Sequence, residues 1–454
     1  MRILVIPAAF AVVALLASTQ GRPAPVAVAQ SSSTPTGDWL TYQHDMTRSG
    51  VADGSFPNPV NASVLWESSE LDGLVYAQPL VTGGRVFVAT ENNTVYALDA
   101  SSGVPVWSQH FGDPVPRRML PCGNIDPTGI TSTPVIDASS GTLYAVDYLV
   151  QPQPHHELVA LDITTGNVKF DQPIEPAAGS VTAHQQRAAL ALANGTVYVP
   201  FGGLFGDCGD YHGWLIGASA ADGSSKGSYQ VPTHREGAIW AAPAVTGNGD
   251  IYVATGNGDS NDQFDMANAV VHLSPDLQQL DYYAPSDWAG LSSRDADVGS
   301  TGPTVLDNNE ILQVGKRGDG YLLQADHLGA IGGELSQASV CSGAYGEAAH
   351  SGTAVYMPCR DGLAAVQIQG QSFSVAWHGP RFNAGSPTIT DSAIWTIDGA
   401  TATLHALNPQ DGAELWQAPT QPVSNPPHFL TPAAAGGRLY YSRGTTIVAV
   451  NAGS

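Results

Sequence analysis

The chain repeats itself, and that periodicity constrains its fold more than any single motif. The clearest unit starts with Tyr76-Ala77-Gln78-Pro79-Leu80-Val81. Arg85-Val86-Phe87-Val88-Ala89, Thr94-Val95-Tyr96-Ala97-Leu98-Asp99 and Val104-Pro105-Val106-Trp107 follow. Each piece alternates or is rich in β-branched and aromatic residues, and turn residues separate the pieces: Gly83-Gly84, Asn92-Asn93 and Ser101-Ser102-Gly103. That is four short antiparallel strands. The start of the unit recurs around Pro79, Pro134, Ala188, Pro243, Pro303, Ala348, Pro387 and Pro432, giving eight units.

The last unit reaches its third strand near Val450-Asn451 and has no fourth. Val64-Leu65-Trp66-Glu67 reads as a fourth strand with no first three. A ring in which the N-terminal strand completes the C-terminal unit satisfies both segments and hides the sheet edges of an open array. The expected fold is all-β: an eight-bladed β-propeller of four-stranded antiparallel blades over residues 61–454, after a lead segment at 30–60. Trp66, Trp107, Trp377 and Trp416, with Phe170 in the second unit, fall at matching fourth-strand positions, and their recurrence reads as blade-to-blade packing. The longer second to fifth units imply inserted loops, where function concentrates.

At 454 residues the chain exceeds what one hydrophobic core fills, and a repeat ring accommodates that length. Seventeen Lys and Arg against 40 Asp and Glu give a net charge of −23, which argues against nucleic acid as a partner. Arg2, the apolar run from Ile3 to Ala17, and Ala27-Val28-Ala29 read as a secretory signal cleaved after Ala29. No Cys follows the apolar run, so no lipid anchor is expected, and no later stretch reads as a membrane span. A secreted monomer is the expectation. Four cysteines in an exported chain suggest two disulfides with three possible pairings. Cys341 and Cys359 share one unit and are paired on that ground, leaving Cys122 with Cys208; zinc is the weaker alternative, since no CxxC spacing occurs. A GxSxG elbow and a P-loop are both absent from the sequence.

The unit Tyr96-Ala97-Leu98-Asp99-Ala100-Ser101-Ser102-Gly103…Trp107 closely resembles the pyrroloquinoline-quinone (PQQ) repeat of eight-bladed quinoprotein propellers. The opening Trp39-Leu40-Thr41-Tyr42-Gln43-His44-Asp45…Arg48-Ser49-Gly50 resembles the start of such proteins. The resemblance spans roughly residues 38–454 and covers two kinds of protein, PQQ-dependent alcohol dehydrogenases and non-catalytic assembly scaffolds. In the dehydrogenases a Trp stacks under PQQ, a Ca²⁺ bridges cofactor and protein, and an Asp serves as base.

Transferred residue by residue, the resemblance implies Trp240 as platform, Asn257 as a calcium ligand and Asp297 as base. Asp207 and Asp210, before Gly213-Trp214, stand where a ligand Glu is expected. Lys316 and Arg317 lie where the family has a basic residue facing the cofactor, and Arg187, with His184 and His212, is expected at the axial mouth. An aromatic face and cations suit a flat tricarboxylate, and a carboxylate beside a hydroxyl takes its proton as hydride leaves. The sequence also departs from the family. A single Cys122 replaces the adjacent pair at the entrance, an expected Arg is missing from Asp126-Pro127-Thr128-Gly129, and no haem-attachment motif occurs. Two functions follow as expectations. One is a PQQ- and Ca²⁺-dependent oxidoreductase of small alcohols or sugars; the other is a propeller that binds a protein or glycan partner.

Overall fold

Eight antiparallel sheets are found in the computed structural model, one per repeat. It describes Met1, residues 37–419 and residues 421–452; the expected signal peptide at 1–29 lies outside the described residues. The first blade is Leu80–Thr82, Arg85–Ala89, Thr94–Asp99 and Pro105–His110, hydrogen-bonded in that order. Its inner strands are buried and its outermost strand alternates with solvent, as expected for a strand packed on one face only. The third and fourth sheets each carry a fifth strand, and the one added to the fourth, Ala330–Ile331, pairs in parallel.

Ring closure is as the sequence implies. Ser63–Glu67 pairs antiparallel with Thr446–Asn451 and supplies the outermost strand of the last blade. Its Trp66 then docks on the first blade, where the indole N–H donates to the Ala100 carbonyl at 3.2 Å. The ring lies against the turn at Gly103, where a Cβ would come within 2.5 Å of it. Trp107 repeats this contact on Gly166 and the Ile163 carbonyl, and Trp377 repeats it on Gly412 and the Pro409 carbonyl. Phe170 sits against Gly223 in the same way without a donor. The recurring Asp-x-x-x-Gly turn is therefore a socket: Asp99 Oδ1 accepts from Ser101 and Ser102, Gly103 takes φ +71°, and the missing side chain admits the neighbour's ring.

The lead segment closes one end of the ring. Trp39 exchanges backbone hydrogen bonds with Val81 of the first blade, and the Leu40 carbonyl accepts from Ile136 of the second. The carbonyls of Met46, Ser49 and Gly50 accept from Val245, His350 and Ile389 of the fourth, sixth and seventh blades. Arg48 is buried beneath the axis. Its guanidinium donates to the carbonyls of Leu190 at 3.1 Å, Pro243 at 3.0 Å and Tyr42 at 2.9 Å, joining the third and fourth blades to the lead. The blade partners lie within the innermost strands or, for Leu190 and Pro243, immediately before them, so the lead floors the channel. Among the described residues, no helix is long and apolar enough to cross a membrane.

The sockets make a specific demand on Gly166, which has φ +76° and faces the Trp107 ring at 2.8 Å. Gly166→Ala should lose about 2–4 kcal/mol, from left-handed backbone strain and forced displacement of the indole. Urea unfolding of the variant against Gly141→Ala, which shares a positive φ but has only one distant neighbour, separates the two contributions.

Candidate functional site

Above the floor is a cavity of about 910 Å³ on the propeller axis. Its wall is built from a single repeat position, three residues before the start of each repeat. Tyr76, Gln185, Trp240, Ser300, Tyr345, Ala384 and Phe429 hold this position in seven units and all line the cavity. Each sits just before its innermost strand, so the ring geometry converges seven such positions on one axis. Phe205 and Phe429 remain 69% and 42% exposed.

Trp240 rests on a shelf of glycines. A Cβ at Gly202 would lie 2.6 Å from its ring, and one at Gly256 would lie 3.1 Å away. The indole N–H donates to the Gly203 carbonyl at 3.1 Å. The point 3.1 Å from the indole at Gly256 is also 2.8 Å from Asp297 Oδ1, so platform and carboxylate are neighbours. Lys316 Nζ stands 5.6 Å over the Trp240 ring centroid, a cation–π distance. The same ammonium ion-pairs with Asp297 Oδ2 and with Asp295 Oδ1, the latter at 2.6 Å.

Asp297 has no exposed surface. Burial pushes its carboxyl up to about 6, with Lys316 pulling the other way. Burial also opposes the Lys316 charge, but Asp297 and Asp295 outweigh it and raise its pKa. The Asn257 amide N–H donates to Asp297 Oδ1 at 2.5 Å, and the Asn257 side chain donates to Asp295 Oδ1 at 2.8 Å. Fully buried Asn268 ties these pieces together. Its Nδ2 donates to Asn257 Oδ1 at 3.2 Å, and its Oδ1 accepts from the Val298 amide at 2.8 Å, next to Asp297.

Trp240, Asn257, Asp297 and Lys316 thus meet at one place. Arg187 reaches across the axis instead. Its guanidinium lies 5.6 Å from the ring centroids of both Tyr76 and Phe429, and donates to the His428 carbonyl at 2.9 Å. Burial lowers its pKa, and burial with the Arg187 charge lowers His428 to about 4. Asp207 lines the cavity but accepts from the Tyr211 hydroxyl at 2.6 Å, while Asp210 is exposed and does not line it. Arg317 turns away to Asp287, Asp319 and the Tyr321 hydroxyl. Its place in the sequence beside Lys316 misleads, because successive residues leaving a strand face opposite ways. His184 is buried, its pKa lowered to about 4 by burial, with Nδ1 at 2.9 Å from the Ser180 carbonyl.

Both disulfides, Cys122–Cys208 and Cys341–Cys359, form as paired in the sequence reading. The second braces Lys316: Val340 N–H donates to the Gly318 carbonyl at 2.8 Å and Ala344 N–H to the Gly315 carbonyl at 3.2 Å, on either side of the lysine. Sequence reasoning missed Glu347, Asn268 and the Gly202-Gly203 shelf. Glu347 lines the cavity with both carboxylate oxygens buried and unpartnered; burial holds its pKa well above the usual range, with Arg48 only partly offsetting this. The aligned position three residues before each repeat start was a usable signal for the rest of the wall.

A family model described as outer membrane protein assembly factor BamB matches residues 58–280. A polyvinylalcohol dehydrogenase from a Pseudomonas species is 23% identical over 413 residues, covering 82% of this chain. The chain spans 58% of that relative's length. Among solved structures, a quinohemoprotein alcohol dehydrogenase from Pseudomonas putida HK5 superposes with a TM-score of 0.70 at 13% identity. One from Comamonas testosteroni does so with 0.70 at 16%. Each superposition covers 92% of this chain and 81% of the other, and at these identities the likeness is one of fold.

Asn268→Ala tests how the site is held. It leaves the Val298 amide and Asn257 Oδ1 buried without partners, and should cost roughly 2–4 kcal/mol in urea unfolding. It should also loosen Asn257 and Asp297, which acid titration of Asp297 by carboxyl NMR would register.

Proposed function

We propose that the axial cavity of this chain, which resembles the PQQ-repeat β-propellers and matches one of their family models over residues 58–280, binds PQQ and serves an oxidoreductase of alcohols, sugars or polyols. One observation carries the reading: an indole on a glycine shelf with a lysine ammonium over its face and a buried carboxylate beside it. The volume falls in the range of small-molecule sites. A flat, carboxylated quinone suits this donor set: it would lie along Trp240 beside the ammonium, and Lys316 and Arg187 would meet its carboxylate and carbonyl oxygens. When bound, such a cofactor accepts the hydride equivalent of an alcohol oxidation. Asp297 takes the hydroxyl proton, its raised pKa placing it near neutrality for that task. Gly202 and Gly256 keep the indole at cavity depth, and the walls exclude water from the carboxylate.

The polyvinylalcohol dehydrogenase relative favours a polyhydroxylated substrate, and exposed Phe205 and Phe429 at the cavity offer apolar surface to its carbon chain. Electrons then leave to an external acceptor. An exported location agrees with the leader-like N-terminus and the two disulfides. Calcium fits less well. Asn257, Asp207, Asp295 and Asp297 already use oxygens on protein donors, and no step is routed through a metal.

Titration of the protein with PQQ should quench tryptophan fluorescence saturably, and Trp240→Ala should abolish the effect. Asp297→Asn in the loaded protein should slow oxidation of a polyol by about 10²–10⁴-fold with an artificial acceptor. The base must be ionised, and burial raises its pKa to about 6, so the rate should fall about tenfold per pH unit below 6 and level off above it. Absence of saturable quenching would leave the cavity as a glycan- or protein-binding surface.

A further inference from the structure

The family resemblance brings both a basic residue and a divalent cation to the site, and here the ammonium of Lys316 already sits among the residues that would hold the metal. We propose that the ammonium of Lys316 stands in for that metal: Asp295 and Asp297 form a cation slot that the chain fills itself, and the cavity takes its ligand without a divalent ion. The ligand named here rests on the reading above; the slot stands on its own geometry.

Lys316 is fixed from three sides. Its backbone N–H donates to the Asp297 carbonyl at 2.8 Å, and Gly315 packs on the same carbonyl so closely that a Cβ would lie 2.5 Å from it. The ammonium then sits between Asp297 Oδ2 and Asp295 Oδ1, with the Trp240 face as its third wall. Calcium requires six to eight oxygens at 2.3–2.6 Å. Each group within reach already has at least one protein partner. Asp297 Oδ1 accepts from the Asn257 amide, and Asp295 Oδ1 accepts from both Lys316 and Asn257 Nδ2. Asn257 Oδ1 accepts from Asn268, and Asp207 Oδ1 accepts from Tyr211. Glu236, the other carboxylate in electrostatic range of Asp297, is held by Arg235 at 2.7 Å. Among the described residues, the one converging set of His, Cys, Asp or Glu ligands is Cys341, Cys359 and Asp361, whose cysteines are joined in a disulfide.

A metal would have to enter beside a fixed ammonium against like-charge repulsion, or first break the ion pairs that hold it. Lys316 itself offers what a metal would, a positive charge beside the base and toward a ligand oxygen.

The test uses terbium luminescence sensitised through tryptophan on the full chain, after chelator treatment, with Trp240→Phe as control for surface carboxylates. Native protein should show no saturable emission above the control. Lys316→Met vacates the slot and should gain a saturable, calcium-displaceable signal about tenfold or more above native. In parallel, PQQ quenching should give Kd values within about twofold in chelator and in millimolar calcium. A Trp240-dependent terbium site in the native protein, no gain in Lys316→Met, or PQQ binding only with calcium would each overturn the inference. Should Lys316→Met fail to fold, Lys316→Gln replaces it and the native measurements still decide. Should PQQ fail to bind in both buffers, the functional reading falls while the terbium result still judges the slot.

Discussion

Everything in this molecule depends on a ring seated in a neighbour's glycine turn. A four-stranded blade exposes an apolar face on each side and cannot bury either alone. The socket at Gly103, Gly166 or Gly412 fixes how far one blade approaches the next and at what angle, because the indole N–H must also reach a defined carbonyl. Three junctions among the described residues share this fixed approach, and Phe170 on Gly223 repeats its packing at a fourth, which sets the angle at which these blades follow one another around the ring. The width of the axial channel follows from it, and so does the convergence of one residue per blade on the axis.

The channel alone would be a pore. The lead segment makes it a cup, with Arg48 buried under the axis. Burial lowers its guanidinium to about 10, still charged at neutral pH, and backbone carbonyls from two blades and the lead share that charge. Any two ligands in such a cup would have to use the same mouth. A flat group on the Trp240 shelf would then lie beneath whatever enters later, an order of occupancy the geometry imposes by itself.

The ring was legible in the sequence because its periodicity is one-dimensional: turn glycines and fourth-strand aromatics recur at readable offsets. Trp240, Asn257 and Asp297 were singled out through resemblance, since they stand in local motifs, and the structure brings them together. What could not be read was direction. Lys316 and Arg317 are adjacent and alike in charge, yet one enters the cavity and the other pairs with Asp287 on the outside. Arg187 spans the axis to rings contributed by the first and last blades, a contact between residues far apart in the chain. Glu347 and Asn268 matter through burial and partners, and neither has a local signature. Asp210 illustrates the converse: two residues beyond a disulfide cysteine and rich in apparent ligand chemistry, it faces solvent.

The acidic balance of the chain acquires a local meaning at the cavity. A net charge of −23 would repel an anionic ligand at long range, yet screening at physiological ionic strength confines that field to about 8 Å. Within that distance the lining side chains decide. Arg187, Arg294 and Arg360 face the cavity, while Lys316 is offset by Asp295 and Asp297, and burial disfavours the charged forms of Glu347 and Asp207. The axis therefore gathers Arg187, Arg294 and Arg360 on a concave surface, and the glycine shelf holds the Trp240 ring at its wall.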